Sequence, residues 1–381
     1  MIIGLDARYL SHGLIGGVRT YVYQLARHLP RLAPDARFVY YIDTKAPFEI
    51  PLGDLPANVS VRTLPWSSPL SSVWNDRRIA RWMERDGVDI AHFPANAGPA
   101  GKYRLVVTLH DALNLFPMWQ HLRGFGRTPR KIAMMLYLGM QARAVLRDAT
   151  RIVTVSEHAR ADIAARGGIS AERITAIHSA CHDSFRPVAD LSALASVRQR
   201  LGLPRQFLLA DGIKNPGALL AAYDRLPEAT RAAFGLVFFT REAAPRPELA
   251  PRVEGQVICV VVRPAEQDLI ALMSMAYAFV FPSWYEGFGL PLVEAMSCGA
   301  PVVASTRGSI PEVVGGAGLL FDVESVAELQ AQLMRVTGDP ALREQLHQQS
   351  LRRSRDFSWE ATARQVLAVY QAAVAARTAA R

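Results

Sequence analysis

The chain has 381 residues and half of them are hydrophobic, enough for two domains that each bury a core. Its formal charge is +9, with 24 Lys+Arg against 16 Asp+Glu in residues 1–190 and 19 against 18 in residues 191–381. Three cysteines, Cys181, Cys259 and Cys298, argue against a disulfide framework and have no metal-type spacing, so reduced thiols in a cytoplasmic protein are expected.

The chain opens with a predicted strand, Ile2–Asp6. No signal peptide is read there, because Ile2, Ile3 and Leu5 run straight into Asp6 and Arg8. A loop with Gly13, Gly16 and Gly17 follows. A helix comes next, with Val18, Tyr21, Val22, Leu25, Ala26 and Leu29 at helical spacing and Pro30 as its end. Strands are predicted at Phe38–Ile42, Val59–Leu64, Ile90–Phe93, Leu105–Leu109, Ile152–Val155 and Ile174–Ile177. Ser156 reads as a helix N-cap and Gly167 as that helix's stop. The basic segment 123–147 has an apolar middle. It suits either the surface of an anionic membrane or an ordinary packed amphipathic helix. Its charge-free stretch, Ile132–Ala142, is far short of the ~20 residues that span a bilayer.

Arg186–Arg205 is polar and proline-flanked and is read as a linker. The second half repeats the alternation. Strands are predicted at Phe207–Ala210, Leu236–Thr240, Val257–Val262, Tyr277–Pro282, Pro301–Ser305 and Leu319–Phe321, and helices at Ala218–Leu226, Gln267–Ala276, Pro291–Cys298 and from Val326. Strands alternating with helices predict an α/β protein of two doubly wound, Rossmann-like domains facing across a cleft. Their expected bounds are 1–187 and 200–357, with a C-terminal helix, 358–381, rejoining the first domain.

The stretch FPSWYEGFGLPLVEAMSCGAPVVAS, from Phe281 to Ser305, holds Glu286 and Glu294 eight positions apart in an apolar run. Gly287 and Gly289 let the backbone bend and approach a ligand. Pro291 suits a first helical turn and Gly299 a helix end. Glu286 then lies just before a helix and Glu294 about one turn inside it. The free N–H groups of a helix start attract phosphate, and carboxylates accept from sugar hydroxyls. The plainer reading is a solvated loop glutamate followed by a self-capping one.

This stretch resembles the glutamate–seven residues–glutamate signature of the retaining, family-four nucleotide-sugar glycosyltransferases, which have the GT-B fold. GSIPEVVGGAGLLFD, FSWEATA, VVTLHDA, IVTVSEHARADI and ITAIHSACHDSFRP are similar to family segments in the family's order. The resemblance implies that Glu294 holds the donor's ribose and Glu286 faces the transferred sugar. It implies that the backbone of Phe288, Gly289 and Leu290 meets sugar hydroxyls and phosphate. Lys214, in GIKNPG, matches the lysine of the family's diphosphate-binding pair, whereas its plain reading is a solvated loop lysine. The family's arginine, a few residues before that lysine, is missing from FLLADGIKNPG. Arg263 or Arg241 is left to supply the charge, and Arg263 is placed with the donor-binding residues.

In the first domain, Gly16 and Gly17 resemble the family's glycine loop. His110 matches a histidine near the reacting sugar, with Asp111 to orient it, and is otherwise a structural histidine. Arg19 either touches phosphate or decorates its helix. His110, Lys214 and Glu286 are the expected catalytic residues. No DxD-type aspartate pair stands near a strand end, so a required divalent metal is not expected. The nucleotide diphosphate sugar is the implied substrate, and no cofactor is expected. The implied activity is retaining hexosyl transfer, with mannose preferred, from GDP-mannose or a UDP-hexose. The implied acceptor is a glycan or a lipid-linked molecule, as in cell-surface polysaccharide synthesis. Cytoplasmic placement, with or without peripheral contact with the inner face of the membrane, fits this activity. A nucleic-acid partner is not expected, since no basic stripe is interleaved with aromatics. Two readings from other classes stay open: an inert, partner-binding relative, and a sugar-nucleotide epimerase.

Overall fold

Apolar runs with no polar face are buried on both sides, which suits parallel strands covered by helices. The computed structural model describes residues 1–13, 16–68, 71–117, 129–250 and 258–375. Two compact units result, the first Met1–Ser179 rejoined by the helix Trp359–Ala375, the second Ala180–Ser358.

The first unit holds a parallel sheet of β1 (Ile2–Asp6), β2 (Arg37–Asp43), β3 (Val59–Leu64), β4 (Ile90–Phe93), β5 (Arg104–Thr108), β6 (Arg151–Thr154) and β7 (Ile174–Ala176), in the order β3-β2-β1-β4-β5-β6-β7. Ile79 and Met83, Val145 and Leu146, and Ile163 pack with Val39, Ala91, Val107 and Ile152. The helix Gly17–Leu32 packs against the C-terminal helix Trp359–Ala375. The second unit holds β8 (Phe207–Asp211), β9 (Gly235–Thr240), β10 (Cys259–Val262), β11 (Ala278–Phe281), β12 (Val302–Ser305) and β13 (Gly318–Phe321), in the order β10-β9-β8-β11-β12-β13. All its pairings are parallel, with Phe279 set against Leu209 and Val302. Each unit is thus a Rossmann-like α/β sheet. Strand order reverses between β1 and β4 in the first and between β8 and β11 in the second. Ligands of such sheets bind beyond the carboxyl ends of the strands at these reversals.

Three local expectations are corrected. Pro30 does not end its helix, which runs on to Leu32. Proline lacks the N–H that would bond the carbonyl four residues back. Here the Tyr40 hydroxyl donates to that Ala26 carbonyl at 2.5 Å. The stop after Ser156 falls on Gly168, one residue later than expected, because it is Gly168 that takes the left-handed conformation, at φ 63°. The expected linker contains a helix, Leu191–Arg200, capped by Asp190 through the amides of Ser192 and Ala193. No residue of it is fully buried; Leu194 and Val197 are half-buried, a short apolar signal inside a polar stretch.

Candidate active site

In the second unit the strand reversal collects five charged side chains. β8 ends in Asp211, whose Oδ1 accepts from the Ile213 amide at 3.1 Å and whose carbonyl accepts from the Lys214 amide at 3.1 Å. This tight turn carries Lys214 past the strand end. Asn215 follows in the left-handed region at φ 55°, and its Nδ2 donates to the Pro282 carbonyl at 3.0 Å, tying this turn to the loop after β11. Lys214 Nζ lies 2.7 Å from Glu286 Oε1, which also accepts from Ser283 Oγ at 2.7 Å. Glu294 lies inside the helix Leu290–Ser297, and its Oε2 is 2.8 Å from Arg241 Nη2. Arg241 follows β9, the strand next to β8.

Burial opposes the Arg241 charge, but Glu294 and Asp211 outweigh it and raise the guanidinium pKa. Asp211 is nearly fully buried, and burial pushes its carboxyl pKa up against the pull of Arg241 and Lys214. The site therefore alternates in sign: an acid beneath, two cations at neighbouring strand ends, and two signature glutamates that hold them. Each glutamate side chain keeps 13% exposure, so both are reachable from solvent.

The loop carrying Glu286 is braced from behind. Ser309 Oγ donates to the carbonyls of Glu286 and Phe288, at 3.2 and 2.8 Å, and Ser305 Oγ to that of Ser283 at 2.7 Å. Gly308, at φ 60°, packs on Glu286; a Cβ there would lie 2.6 Å from its carbonyl oxygen and 2.8 Å from its amide. Gly289 takes φ 98° as the helix N-cap, Pro291 sits in the first turn, and Gly299 closes the helix at φ 78°. Phe288 is buried, its ring edge-on to Phe357. Gly287 lies in the same loop, between Glu286 and Phe288.

Arg263 is placed differently from expectation. It is exposed at the end of β10, the edge strand, and its amide donates to the Thr240 carbonyl at 2.7 Å. The arginine set against a signature carboxylate is Arg241, because β9 lies one strand nearer to β8. Gly308, Ser309 and Asp211 were not singled out from the sequence. The glycine-serine pair before a proline in GSIPE was the available signal.

In the first unit, Gly16 has φ 135°, a glycine conformation, and its carbonyl accepts from the Thr20 amide in the first turn of the helix that Gly17 begins. Arg19 is ion-paired with Glu49. Beyond β5, His110 Nε2 lies 2.8 Å from the Pro94 carbonyl and its amide donates to Asn96 Oδ1 at 2.8 Å. Burial holds this imidazole below its ordinary 6.5, at about 4, against the Pro94 carbonyl. Asp111 Oδ1 accepts from the Leu113 amide. Ser156 caps its helix by accepting from the Ala159 amide at 3.0 Å. At the end of β1, Arg8 is held by Asp6 through Nε at 2.8 Å and Nη2 at 2.7 Å, and by Asp76 at 2.8 Å. In segment 123–147, residues 123–128 lie outside the described residues, and the helix Pro129–Asp148 follows with Met134, Leu136 and Met140 exposed. Among the described residues, no helix is long and apolar enough to cross a membrane.

Comparison with known proteins shows the family and the fold. The family profile "Glycosyl transferases group 1" matches residues 213–353, and "Glycosyltransferase Family 4" matches residues 15–184. The O-antigen chain mannosyltransferase B of Escherichia coli is 33% identical over 301 residues, 76% of each chain. Sucrose-phosphate synthase from Thermosynechococcus elongatus superposes with a TM-score of 0.74 at 21% identity, over 98% of this chain and 99% of its own. Anabaena Alr3699/HepE, solved with UDP and glucose, gives 0.69 at 18% identity, over 97% and 99%. Such neighbours carry the GT-B arrangement of two Rossmann-like domains. The chain is a glycosyltransferase and belongs to glycosyltransferase family 4, with a group 1 transferase domain in its second unit.

Proposed function

We propose that this protein transfers a hexosyl group, mannosyl by preference, from a nucleotide diphosphate sugar to a glycan or lipid-linked acceptor, with retention of anomeric configuration. The observation that carries this reading is the doubled cation–carboxylate pair at the second unit's strand reversal, beside a helix start. The mannosyl preference is supported by similarity to the O-antigen mannosyltransferase, and the nucleotide donor by likeness to a neighbour solved with UDP and glucose.

In this reading the second unit binds the donor. Lys214 and Arg241 turn from their glutamates toward the diphosphate, and the first-turn amides after Gly289 bind the same group. Glu294 accepts from the ribose hydroxyls and Glu286 from those of the transferred sugar. The bond from anomeric carbon to leaving phosphate oxygen breaks first, through an oxocarbenium-like state. The acceptor oxygen then bonds to that carbon on the same face, and its proton passes to the leaving phosphate. Negative charge grows on that phosphate, where the cations already turned to it at binding stabilise it without further movement. Glu286 and Glu294 are committed to hydroxyls, so neither serves as nucleophile. From the first unit, His110 offers a neutral hydrogen-bond acceptor to the substrates. No metal is required, and turnover should persist in EDTA.

A thermal-shift series with GDP-mannose and UDP-glucose tests the donor. At ~100-fold saturation a specific ligand stabilises by ~2.7 kcal/mol. NMR of the product's anomeric proton tests retention, and an inverted product would overturn the mechanism. No shift and no turnover with any nucleotide sugar would overturn the donor reading.

A further inference from the structure

The first unit contains a buried chain of neutral polar side chains that ends beside His110. His92 lies in β4, fully buried, with Nδ1 2.6 Å from the Tyr370 hydroxyl and Nε2 2.9 Å from Thr108 Oγ1. Thr108, also fully buried, closes β5 and lies 3.3 Å from the Tyr21 hydroxyl. The Tyr21 ring meets the His110 ring edge-on, with centroids 5.0 Å apart and planes at 87°. The C-terminal helix grips this chain at two places. Tyr370 bonds His92, and Trp359 packs edge-on against Tyr21 at 5.9 Å.

The proton positions follow from simple chemistry. A carbonyl oxygen only accepts, so His110 Nε2 must carry its proton toward Pro94. His110 Nδ1 is then the lone-pair acceptor, and it has no hydrogen-bond partner among the described residues. His92 sits between two hydroxyls, each with one proton to give. Either direction of donation along the chain therefore leaves its imidazole neutral, as does burial, which lowers its pKa to about 3. Buried polar groups without partners are costly, so a satisfied chain of this kind fixes the rings it joins.

We propose that Tyr370, His92, Thr108 and Tyr21 are positioning residues that hold His110 in place, so that its Nδ1 lone pair meets substrate in one orientation. This rests on the placement of His110 in the reaction made above. It makes the last helix of the chain, more than two hundred residues beyond His110, a working part of the first unit's site.

The test uses the full chain and three variants. Thr108→Val keeps the shape and deletes the hydroxyl, Thr108→Ser restores it, and Tyr370→Phe cuts the far end. Nitrogen-15 shifts of the His110 ring should move in Thr108→Val and Tyr370→Phe and return in Thr108→Ser. Turnover of GDP-mannose or UDP-glucose, whichever is consumed, should fall ~10-fold or more in kcat with donor KM unchanged, since misplacement at a distance acts on the reacting geometry. Thr108→Ser should recover most of the rate. If Thr108→Val does not fold, Tyr370→Phe carries the test, as it adds no bulk. Unmoved His110 shifts overturn the chain as a support, whatever the activity. Moved shifts with unchanged kcat overturn its service to the reaction. Unchanged turnover in His110→Ala is a separate failure, that of His110's assignment, and the ring shifts are read independently of it.

Discussion

The two units solve the same problem, holding side chains still at the ends of parallel strands, with opposite chemistry. The second unit uses charge: Lys214 against Glu286 and Arg241 against Glu294, each pair part-exposed and the two linked through buried Asp211. The first unit uses neutral groups: His92, Thr108, Tyr21 and Tyr370, all buried around His110. Charged groups near solvent can be exchanged for the charges of a ligand. Neutral groups sealed from water keep one arrangement whether or not a ligand is present. Under the proposed function, the contrast would have donor phosphate recognised by pairs that open and His110 presented by a frame that does not.

The largest break in this contrast should come from Lys214→Ala. Loss of one fixed cation facing a developing charge costs ~10²–10³ in turnover. A rate at saturating donor equal to wild type would remove Lys214 from the phosphate site. Arg241→Ala should follow, ~10-fold or more down in kcat, with Arg263→Ala near wild type. A reversed order of these two arginines in steady-state kinetics would return the second cation to the edge strand.

The neutral frame should be exposed by acid. His92 and His110 titrate in the fold at about 3 and about 4, below the ordinary 6.5. The unfolded chain therefore binds more protons than the native one between those values. Their contribution to stability is complete above pH ~6.5 and is lost as pH falls toward 4 and 3, with a slope of up to ~2.7 kcal/mol per pH unit for two such groups. Urea denaturation across pH 4–7 measures it, and His92→Gln should flatten the slope. A flat profile in the parent protein would mean these imidazoles are not held neutral. The smallest effect expected is from Gly308→Ala, ~1–3 kcal/mol of strain placed directly on the Glu286 backbone. Calorimetry should show weaker donor binding in that variant, and undiminished affinity would separate the brace from the site.

Much of this was legible in the chain itself, for particular reasons. Val280 and its neighbours formed an apolar run bounded by turn residues, which a central parallel strand requires. Gly289, Pro291 and Gly299 bracketed the helix that carries Glu294, each by its own backbone preference. The helix Leu191–Arg200 was not legible, since it offers only half-buried Leu194 and Val197 within a polar, proline-flanked stretch. Pro30 misled, because the hydroxyl that replaces its missing donor comes from Tyr40 on the following strand.

The sequence by itself determined the alternation of strands and helices, the glycines that bracket the Glu294 helix, Gly289 and Gly299, and the two glutamates spaced to flank its start. These are local matters, set within about ten residues by burial and by φ preference. Only the tertiary structure decided that Arg241 rather than Arg263 meets Glu294, that Gly308 lies against Glu286, and that Tyr370 reaches His92. Strand order and packing bring those partners together across 53, 22 and 278 residues, for Arg241–Glu294, Gly308–Glu286 and Tyr370–His92. No local preference encodes such distances, because the free energy that fixes them comes from burying the whole sheet at once.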